Sequence, residues 1–151
     1  MDFDLTPPNV EMDRFRQEVH TWFEENIAED MKESLDADEF TEEKYWYWRE
    51  KHKELAAKGW LYPTFPKEYG GGGLTGEHES IIQEEFHRMG VVSSFANRRP
   101  LEPLMVWTTE EQKQKFLYPI LSAEEYCWQK TTEPHSGADL ADYRSTAVRD
   151  G

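Results

Sequence analysis

The chain has 151 residues, about one domain in length, and its 14% aromatic content is typical of a folded globular protein. It carries 31 Asp and Glu against 17 Lys and Arg, and residues 1–43 hold 15 of these acids against 3 bases. Such a field repels phosphate backbones and anionic lipid, so the charge argues against nucleic-acid and membrane partners. Cys127 is the single cysteine of the sequence, which excludes an internal disulfide and a cysteine metal cluster.

The sequence has no recognisable export or membrane signal. No run of about 18 uncharged apolar residues occurs, and the first residues, MDFDLTPPNVEMD, are acidic where a signal peptide would be basic and then apolar. We therefore expect a soluble protein that is not exported. Its location is expected to be the cytoplasm or another reducing compartment, such as the mitochondrial matrix.

Two helices are predicted in the first part of the chain. The first runs from about Val10 to Ala28, with Asn9 as its N-cap. Its apolar stripe is Met12, Phe15, Val19, Trp22, Phe23 and Ile27. The second begins at the capping residue Thr41, has acidic residues in its first turn, and ends at Gly59.

The segment EYGGGGLTGEHES, residues 68–80, contains Gly71-x-Gly73-x-x-Gly76, the glycine spacing of a dinucleotide-binding turn. Such a turn follows a buried apolar strand, and an acidic residue about 20 positions later holds the ribose. Here the sequence FPKEY precedes the glycines and no carboxylate lies near that distance. Residues 60–76, which contain two prolines and five glycines, are therefore predicted to be a loop between helices rather than a phosphate site.

A third helix is predicted from Thr75 or Gly76 to Gly90, and its core face is Ile81, Ile82, Phe86 and Met89. It contains Glu84-x-x-His87, the spacing with which di-iron helical bundles present metal ligands. That chemistry requires a second Glu-x-x-His, which the sequence lacks. We therefore expect no metal site here and interpret Glu84 and His87 as a solvated pair.

An apolar stretch after the third helix is broken by Pro100 and Pro103. Thr109 and Gln112 then form a predicted capping box, which opens a helix that runs to about Leu121. From Tyr126 onward, YCWQKTT (126–132) and YRSTAVR (143–149) are rich in aromatic, β-branched and Thr residues and predict strands on either side of a loop. The last strand has no downstream partner, so we expect the chain to be part of a longer protein.

The segment WQKTTEPHSGADLA, residues 128–141, is the remaining candidate site. A strand ends at two threonines, Pro134 forces a turn, and Ser136-Gly137 lets backbone amides and hydroxyl groups point outward. Such a loop can bind a flat polar ligand or a phosphate. These residues alone do not distinguish that role from an ordinary connection between strands.

Three stretches, in order, resemble motifs of the acyl-CoA dehydrogenase family. GWLYPTFPKEYGG (59–71) is similar to the family loop Gly-Trp-x-x-Pro-x-x-Pro-x-Glu-Tyr-Gly-Gly. TTEEQKQKFLYPIL (108–121) is similar to Gly-Thr-Glu-Glu-Gln-Lys and a helix ending in Leu-Pro-x-Leu, apart from Thr108 and an inserted Tyr118. TEPHSGADLA (132–141) is similar to Ser/Thr-Glu-Pro-x-x-Gly-Ser-Asp-Leu-Ala after a Trp-rich strand. The resemblance spans nearly the whole chain.

The resemblance implies a mainly α fold. Residues 1–125 would form an N-terminal helical bundle domain, and residues 126–151 the first strands of a β-barrel middle domain, with a C-terminal helical bundle outside this chain. FAD is the implied cofactor, held without a covalent bond by Gln129, Thr131, Thr132 and Gly137. Acyl-CoA contacts are implied for Ser136 and Ala138, although Ala138 replaces the family's usual serine and His135 its usual glycine.

The implied activity is α,β-dehydrogenation of an acyl-CoA thioester with hydride transfer to FAD, a reaction of fatty-acid β-oxidation. The family's general base lies in the C-terminal domain, so we assign no catalytic residue here, interpret Glu133 as structural, and expect this chain alone to be inactive. The implied partners are an electron-transfer flavoprotein and further subunits, in a homo- or hetero-tetramer or a dimer. Two alternatives stay open: a non-catalytic subunit of a heteromeric relative, suggested by Ala138 and His135, and a flavin-dependent oxidase, which oxygen consumption would reveal.

Overall fold

Four regular α-helices occupy much of the structure, a computed structural model that describes residues 9–31, 41–89, 98–127 and 132–149. Their bounds are Val10–Asn26 for α1, Glu42–Ala57 for α2, Gly76–Arg88 for α3 and Leu101–Trp107 for α4. The prediction of a mainly α fold is confirmed. Within the described ranges, no helix is both long and apolar enough to cross a lipid bilayer.

A fifth helix, α5, is built from three consecutive segments. They are an α-helical turn at Glu110–Gln112, a π-helical segment at Lys113–Leu117 and a second α-helical turn at Tyr118–Leu121. Short 3-10 turns lie at Glu29–Met31, Lys67–Tyr69 and Leu140–Asp142.

Helix α1 begins where the sequence predicts. The Asn9 side chain accepts hydrogen bonds from the backbone N–H groups of Glu11 and Met12, at 3.2 and 3.4 Å, which satisfies donors that a helix start leaves without partners. The predicted apolar stripe faces the core: Met12, Val19, Phe23 and Ile27 are buried, and Phe15 and Trp22 pack against them.

The face of α2 that packs against the same core contains both apolar residues and a histidine. Thr41 caps its start by accepting a hydrogen bond from the Lys44 N–H at 3.2 Å, as predicted, and Gly59 follows its end with a left-handed φ of 75°. Its buried residues are Trp48, His52 and Leu55. The Trp48 indole donates to the carbonyl oxygen of Met31 at 2.9 Å, so the 3-10 turn after α1 is tied to α2.

The glycine-rich loop after α2 folds onto itself. The N–H groups of Gly71, Gly72 and Gly73 donate to carbonyl oxygens of the same loop at 2.8–3.0 Å. The Tyr69 hydroxyl donates to the Glu110 carboxylate, which attaches the loop to α5. Because these glycine amides are already bonded within the chain, they are not directed at a phosphate, in agreement with the predicted loop between helices.

Helix α3 packs on α1. The predicted core residues Ile81, Ile82, Phe86 and Met89 are buried, and the Phe86 ring meets Phe23 of α1 edge to face with centroids 4.9 Å apart. Glu84 and His87 do not act as a pair: the Glu84 carboxylate contacts Arg16, and the His87 ring hydrogen bonds to the Gln83 carbonyl oxygen at 2.7 Å. The predicted end of this helix, Gly90, lies outside the described residues.

Glu85 provides a polar connection inside the α1–α3 contact. Its buried carboxylate lies 2.6 Å from Arg88 Nε and 3.2 Å from His20 Nδ1, and Arg88 also reaches Glu24 of α1 at 2.9 Å. Replacing Glu85 removes the two bonds that its buried carboxylate makes, to Arg88 and His20, whose own side chains are partly exposed.

We expect Glu85→Ala to lower the free energy of unfolding by about 2 kcal/mol, since the lost bonds are made by a buried carboxylate, one of them to the Arg88 guanidinium. Urea unfolding of the variant protein measures this loss. The neighbouring Glu84→Ala is the control, because its partner Arg16 is exposed and such pairs contribute about 1 kcal/mol or less. Equal losses in the two variants would contradict the assigned role of Glu85.

Helix α4 differs from the sequence expectation. Pro100 and Pro103 were expected to break the apolar stretch, but Pro100 is the N-cap residue and Pro103 lies in the first helical turn. A proline lacks the backbone N–H, and the first N–H groups of a helix have no partner within the helix in any case. The two prolines therefore mark where α4 begins rather than interrupting it.

The π-helical segment of α5 ends immediately before Tyr118, the residue that interrupts the family motif. The predicted capping box is present, with Thr109 and Gln112 exchanging both hydrogen bonds, and the helix reaches Leu121 as predicted. Between them, the Tyr118 N–H donates to the carbonyl oxygen of Lys113, five residues earlier. A π turn holds one residue more than an α turn, which is the length that the inserted Tyr118 adds to the motif.

The predicted strands are not confirmed. Residues 143–149 belong to no strand, contrary to the prediction, because the Arg144 and Ser145 N–H groups bind the Glu133 carboxylate instead of another strand. Most of the other predicted strand, 128–131, lies outside the described residues. The division into domains 1–125 and 126–151, and the start of a β-barrel, stay predictions.

Candidate functional site

A tight turn forms the centre of the candidate site. Glu133 and Ser136 exchange two backbone hydrogen bonds, at 2.9 and 3.1 Å, around Pro134 and His135. The predicted turn at Pro134 is therefore present. Proline suits a turn because its φ is already close to the value that the turn requires.

Glu133 holds this turn against the segment that follows. Its carboxylate accepts the N–H groups of Arg144 and Ser145, both at 2.9 Å, and lies 3.1 Å from the His135 ring. The bonds from the Arg144 and Ser145 backbone keep the pKa of the Glu133 carboxyl below its ordinary value, because they favour the charged form. This geometry agrees with the structural role expected for Glu133.

The side chain of Ser136 is also used within the loop. Ser136 is buried, and its hydroxyl donates to the carbonyl oxygen of Asp139. Farther along, the Tyr143 hydroxyl donates to the Gly137 carbonyl oxygen at 3.1 Å, and the Asp139 carboxylate caps the 3-10 turn at Leu140–Asp142. Together these contacts give the loop 132–145 one defined shape.

Part of the loop faces outward. Thr132, Gly137 and Ala138 are exposed, and the described residues contain no acceptor for the N–H groups of Gly137 and Ala138. No atom lies within 4 Å of the position that a Gly137 Cβ would take. Exposed N–H donors beside an uncrowded backbone suit the polar edge of a flat ligand, so these residues fit a flavin. The other two expected flavin contacts, Gln129 and Thr131, lie outside the described residues.

A buried polar cluster precedes the loop, and sequence analysis did not find it. His52 of α2 is 1% exposed, and its Nδ1 lies 2.7 Å from the Tyr126 hydroxyl. The Arg49 guanidinium stacks on the Tyr126 ring at 4.4 Å and donates to the Glu124 carbonyl oxygen at 2.9 Å. The signal that could have revealed it is the spacing Trp48, His52, Leu55, which places a histidine on the buried face of α2.

Burial strongly affects the charge of His52. Removal from water, and to a smaller extent the positive charge of Arg49, lowers the pKa of His52 to about 4. His52 is therefore neutral at physiological pH, and its ring nitrogen serves as a hydrogen-bond partner of Tyr126 rather than as an ion.

Comparison with known proteins gives consistent matches. A sequence model described as "Acyl-CoA dehydrogenase, N-terminal domain" matches residues 9–124. Acyl-CoA dehydrogenase FadE26 of Mycobacterium tuberculosis is 31% identical over 100% of this chain and 37% of its own length. The chain therefore spans well under half the length of this relative.

Two solved structures have the same fold over 100% of this chain. The ChsE4–ChsE5 complex of Mycobacterium tuberculosis matches with a TM-score of 0.72 and 30% identity, over 37% of its matched chain. The Tcur3481–Tcur3483 steroid ACAD matches with a TM-score of 0.71 and 32% identity, over 38% of its matched chain. With its helical domain, its ordered motifs and these matches, the chain belongs to the acyl-CoA dehydrogenase family.

Proposed function

We propose that this chain contributes the helical domain and part of the flavin site to an enzyme that dehydrogenates an acyl-CoA thioester at its α and β carbons. The observation that carries the proposal is the turn at 133–136, locked by the Glu133 carboxylate and followed by two outward N–H groups. This turn occurs in a chain of a family that uses FAD.

The residues that would hold FAD are Thr132 and Gly137, with Gln129 and Thr131 from the preceding segment. Thr132 would offer its hydroxyl and the loop its N–H groups to the polar edge of the flavin ring, which stabilises negative charge there. A glycine at 137 lets a ligand approach the backbone without meeting a Cβ. FAD, when bound, supplies the acceptor for the substrate's hydride.

In the proposed reaction, the residues of this chain bind the cofactor and the substrate and orient them. The Glu133 carboxylate accepts hydrogen bonds from two backbone amides. It therefore holds the loop's shape and is not proposed as the group that removes the α-proton. That base would come from outside residues 1–151. Ser136 and Ala138 would contact acyl-CoA, and Ser136 would have to exchange its bond to Asp139 to do so with its hydroxyl.

The second candidate function is that of a non-catalytic subunit. Two observations favour it: Ala138 and His135 depart from the family's motif, and the two matched structures are both named as pairs of proteins. In either case we propose a multi-subunit assembly, with an electron-transfer flavoprotein as the acceptor if the protein is catalytic.

The decisive experiment is an absorbance spectrum of the protein expressed from its complete reading frame, before and after anaerobic addition of a panel of acyl-CoA thioesters. Flavin bands that bleach with one thioester would support the dehydrogenase and begin to identify its substrate. A colourless protein, or bands that no thioester bleaches, would favour the non-catalytic subunit. Rapid oxygen consumption with acyl-CoA would instead indicate an oxidase.

Glu133→Ala tests the loop itself in the same protein. We expect at least tenfold weaker FAD binding, because the Arg144 and Ser145 amides lose the acceptor that shapes the loop. Flavin fluorescence titration of the apoprotein measures the affinity. Arg144→Ala is the matched control, since only the backbone N–H of Arg144 binds Glu133. Unchanged affinity in Glu133→Ala would contradict the proposed flavin site.

A further inference from the structure

We propose that Arg49 and His52 of α2 are positioning residues for the loop 132–145, which we call the flavin loop. They hold residues 124–127 and thereby set where the loop presents its amides. This inference rests on the proposed function. Neither side chain is expected to touch the flavin or the substrate.

The contacts hold residues 124–127 both at the backbone and at the Tyr126 side chain. Arg49 donates to a backbone carbonyl oxygen, that of Glu124, at 2.9 Å, and stacks on the ring of Tyr126 at 4.4 Å. His52 binds the hydroxyl at the far end of the same ring at 2.7 Å. The Tyr126 ring is thus held at its face and at its tip, while the backbone beside it is held through Glu124.

Contacts to specific atoms determine which residue occupies this position, whereas apolar packing alone does not. Displacing residues 124–127 by one position would take the Tyr126 hydroxyl away from His52, a histidine that is 1% exposed. Losing a hydrogen bond to a buried polar group costs free energy. The arrangement around His52 therefore favours one position of Tyr126 over its neighbours.

The anchored segment is close to the loop along the chain. Thr132 follows Cys127 by five residues, and Cys127 packs against the core. Five residues span at most about 17 Å even when fully extended. Because so short a segment separates them, a displacement of Tyr126 is expected to shift Thr132 as well.

Tyr126→Phe tests the inference, because it keeps the ring and removes only the hydroxyl that His52 binds. In the flavin-loaded protein from the complete reading frame, we expect about tenfold weaker FAD binding and an altered visible circular dichroism of the flavin. Arg49→Lys, which keeps the charge but loses the planar group that stacks on Tyr126, is expected to act in the same direction.

Tyr47→Phe is the matched control on the same helix. The Tyr47 hydroxyl also makes two hydrogen bonds, to the Asn26 carbonyl oxygen and from the Ala28 N–H, both at 3.0 Å, but it ties α2 to the end of α1. We expect this variant to lower the melting temperature while leaving FAD affinity and the flavin spectrum unchanged. Equal flavin properties in Tyr126→Phe and the wild type would overturn the inference, as would equal changes in Tyr47→Phe.

A readout without flavin separates this inference from the proposed function. If the wild-type protein binds no FAD, the proposed flavin site fails, and hydrogen exchange of the Glu133 and Ser136 amides then tests the anchor. Both amides are hydrogen bonded in the turn. Exchange at least tenfold faster in Tyr126→Phe, but not in Tyr47→Phe, would support the anchor, and unchanged exchange would overturn it.

Discussion

Gly72→Ala is expected to destabilise the protein by about 3 kcal/mol or more, the upper part of the range for overpacking a filled space. An added Cβ would lie 2.1 Å from the Gly59 carbonyl oxygen and 2.8 Å from that of Pro63. Both are backbone atoms, which cannot rotate away as a flexible side chain can. Gly59 itself has a φ of 75°, so the close approach joins two backbones that both depend on glycine.

Thermal and urea unfolding of the purified variants would measure this effect. Gly76→Ala is the matched control: nothing lies within 4 Å of its added Cβ, and its φ is not positive. That change is expected to be neutral or to stabilise by about 0.5 kcal/mol, since alanine has less conformational freedom to lose on folding. If both variants unfold at the wild-type temperature, the backbone contact between Gly59 and Gly72 is not as described.

Acidification from pH 7 to pH 4 is expected to cost about 3 kcal/mol through His52 alone. Its pKa falls from 6.5 in the unfolded chain to about 4 in the folded protein. Between these values the unfolded state binds the proton and the folded state does not. The contribution of a neutral buried His52 is therefore complete above pH 6.5 and is lost as the pH falls toward 4.

His52→Asn isolates this effect, because an amide can still bind the Tyr126 hydroxyl but does not take up a proton in this range. Urea unfolding at several pH values should show a flatter dependence between pH 6.5 and 4 than in the wild type. The carboxylates of Glu110 and Glu133 act in a separate window: their pKa values are lowered from 4.5, so their contribution is lost below that pH. Parallel curves for variant and wild type above pH 4.5 would contradict the effect assigned to His52.

Local sequence accounts for the starts of α1, α2 and α5 and for the resemblance to the family. Caps such as Asn9, Thr41 and Thr109 bond to amides two or three residues away, so their effect is visible in a short window of sequence. The apolar stripe of α1 is equally readable, because burial of one helix face follows from its period. The glycine loop was identified correctly as a connector because a dinucleotide turn also needs a strand and an acid that the sequence lacks.

The structure of residues 143–149 and the environment of His52 depend on hydrogen-bond partners that are distant in the chain. The composition of 143–149 favours a strand, but the Glu133 carboxylate, 11 and 12 residues earlier, takes two of its amides. His52 sits beside lysines in the sequence, but the fold buries it and gives it a hydrogen-bond partner, Tyr126, 74 residues away. Propensity and period describe what a segment can do alone, whereas hydrogen-bond partners are chosen among all groups that the fold brings together.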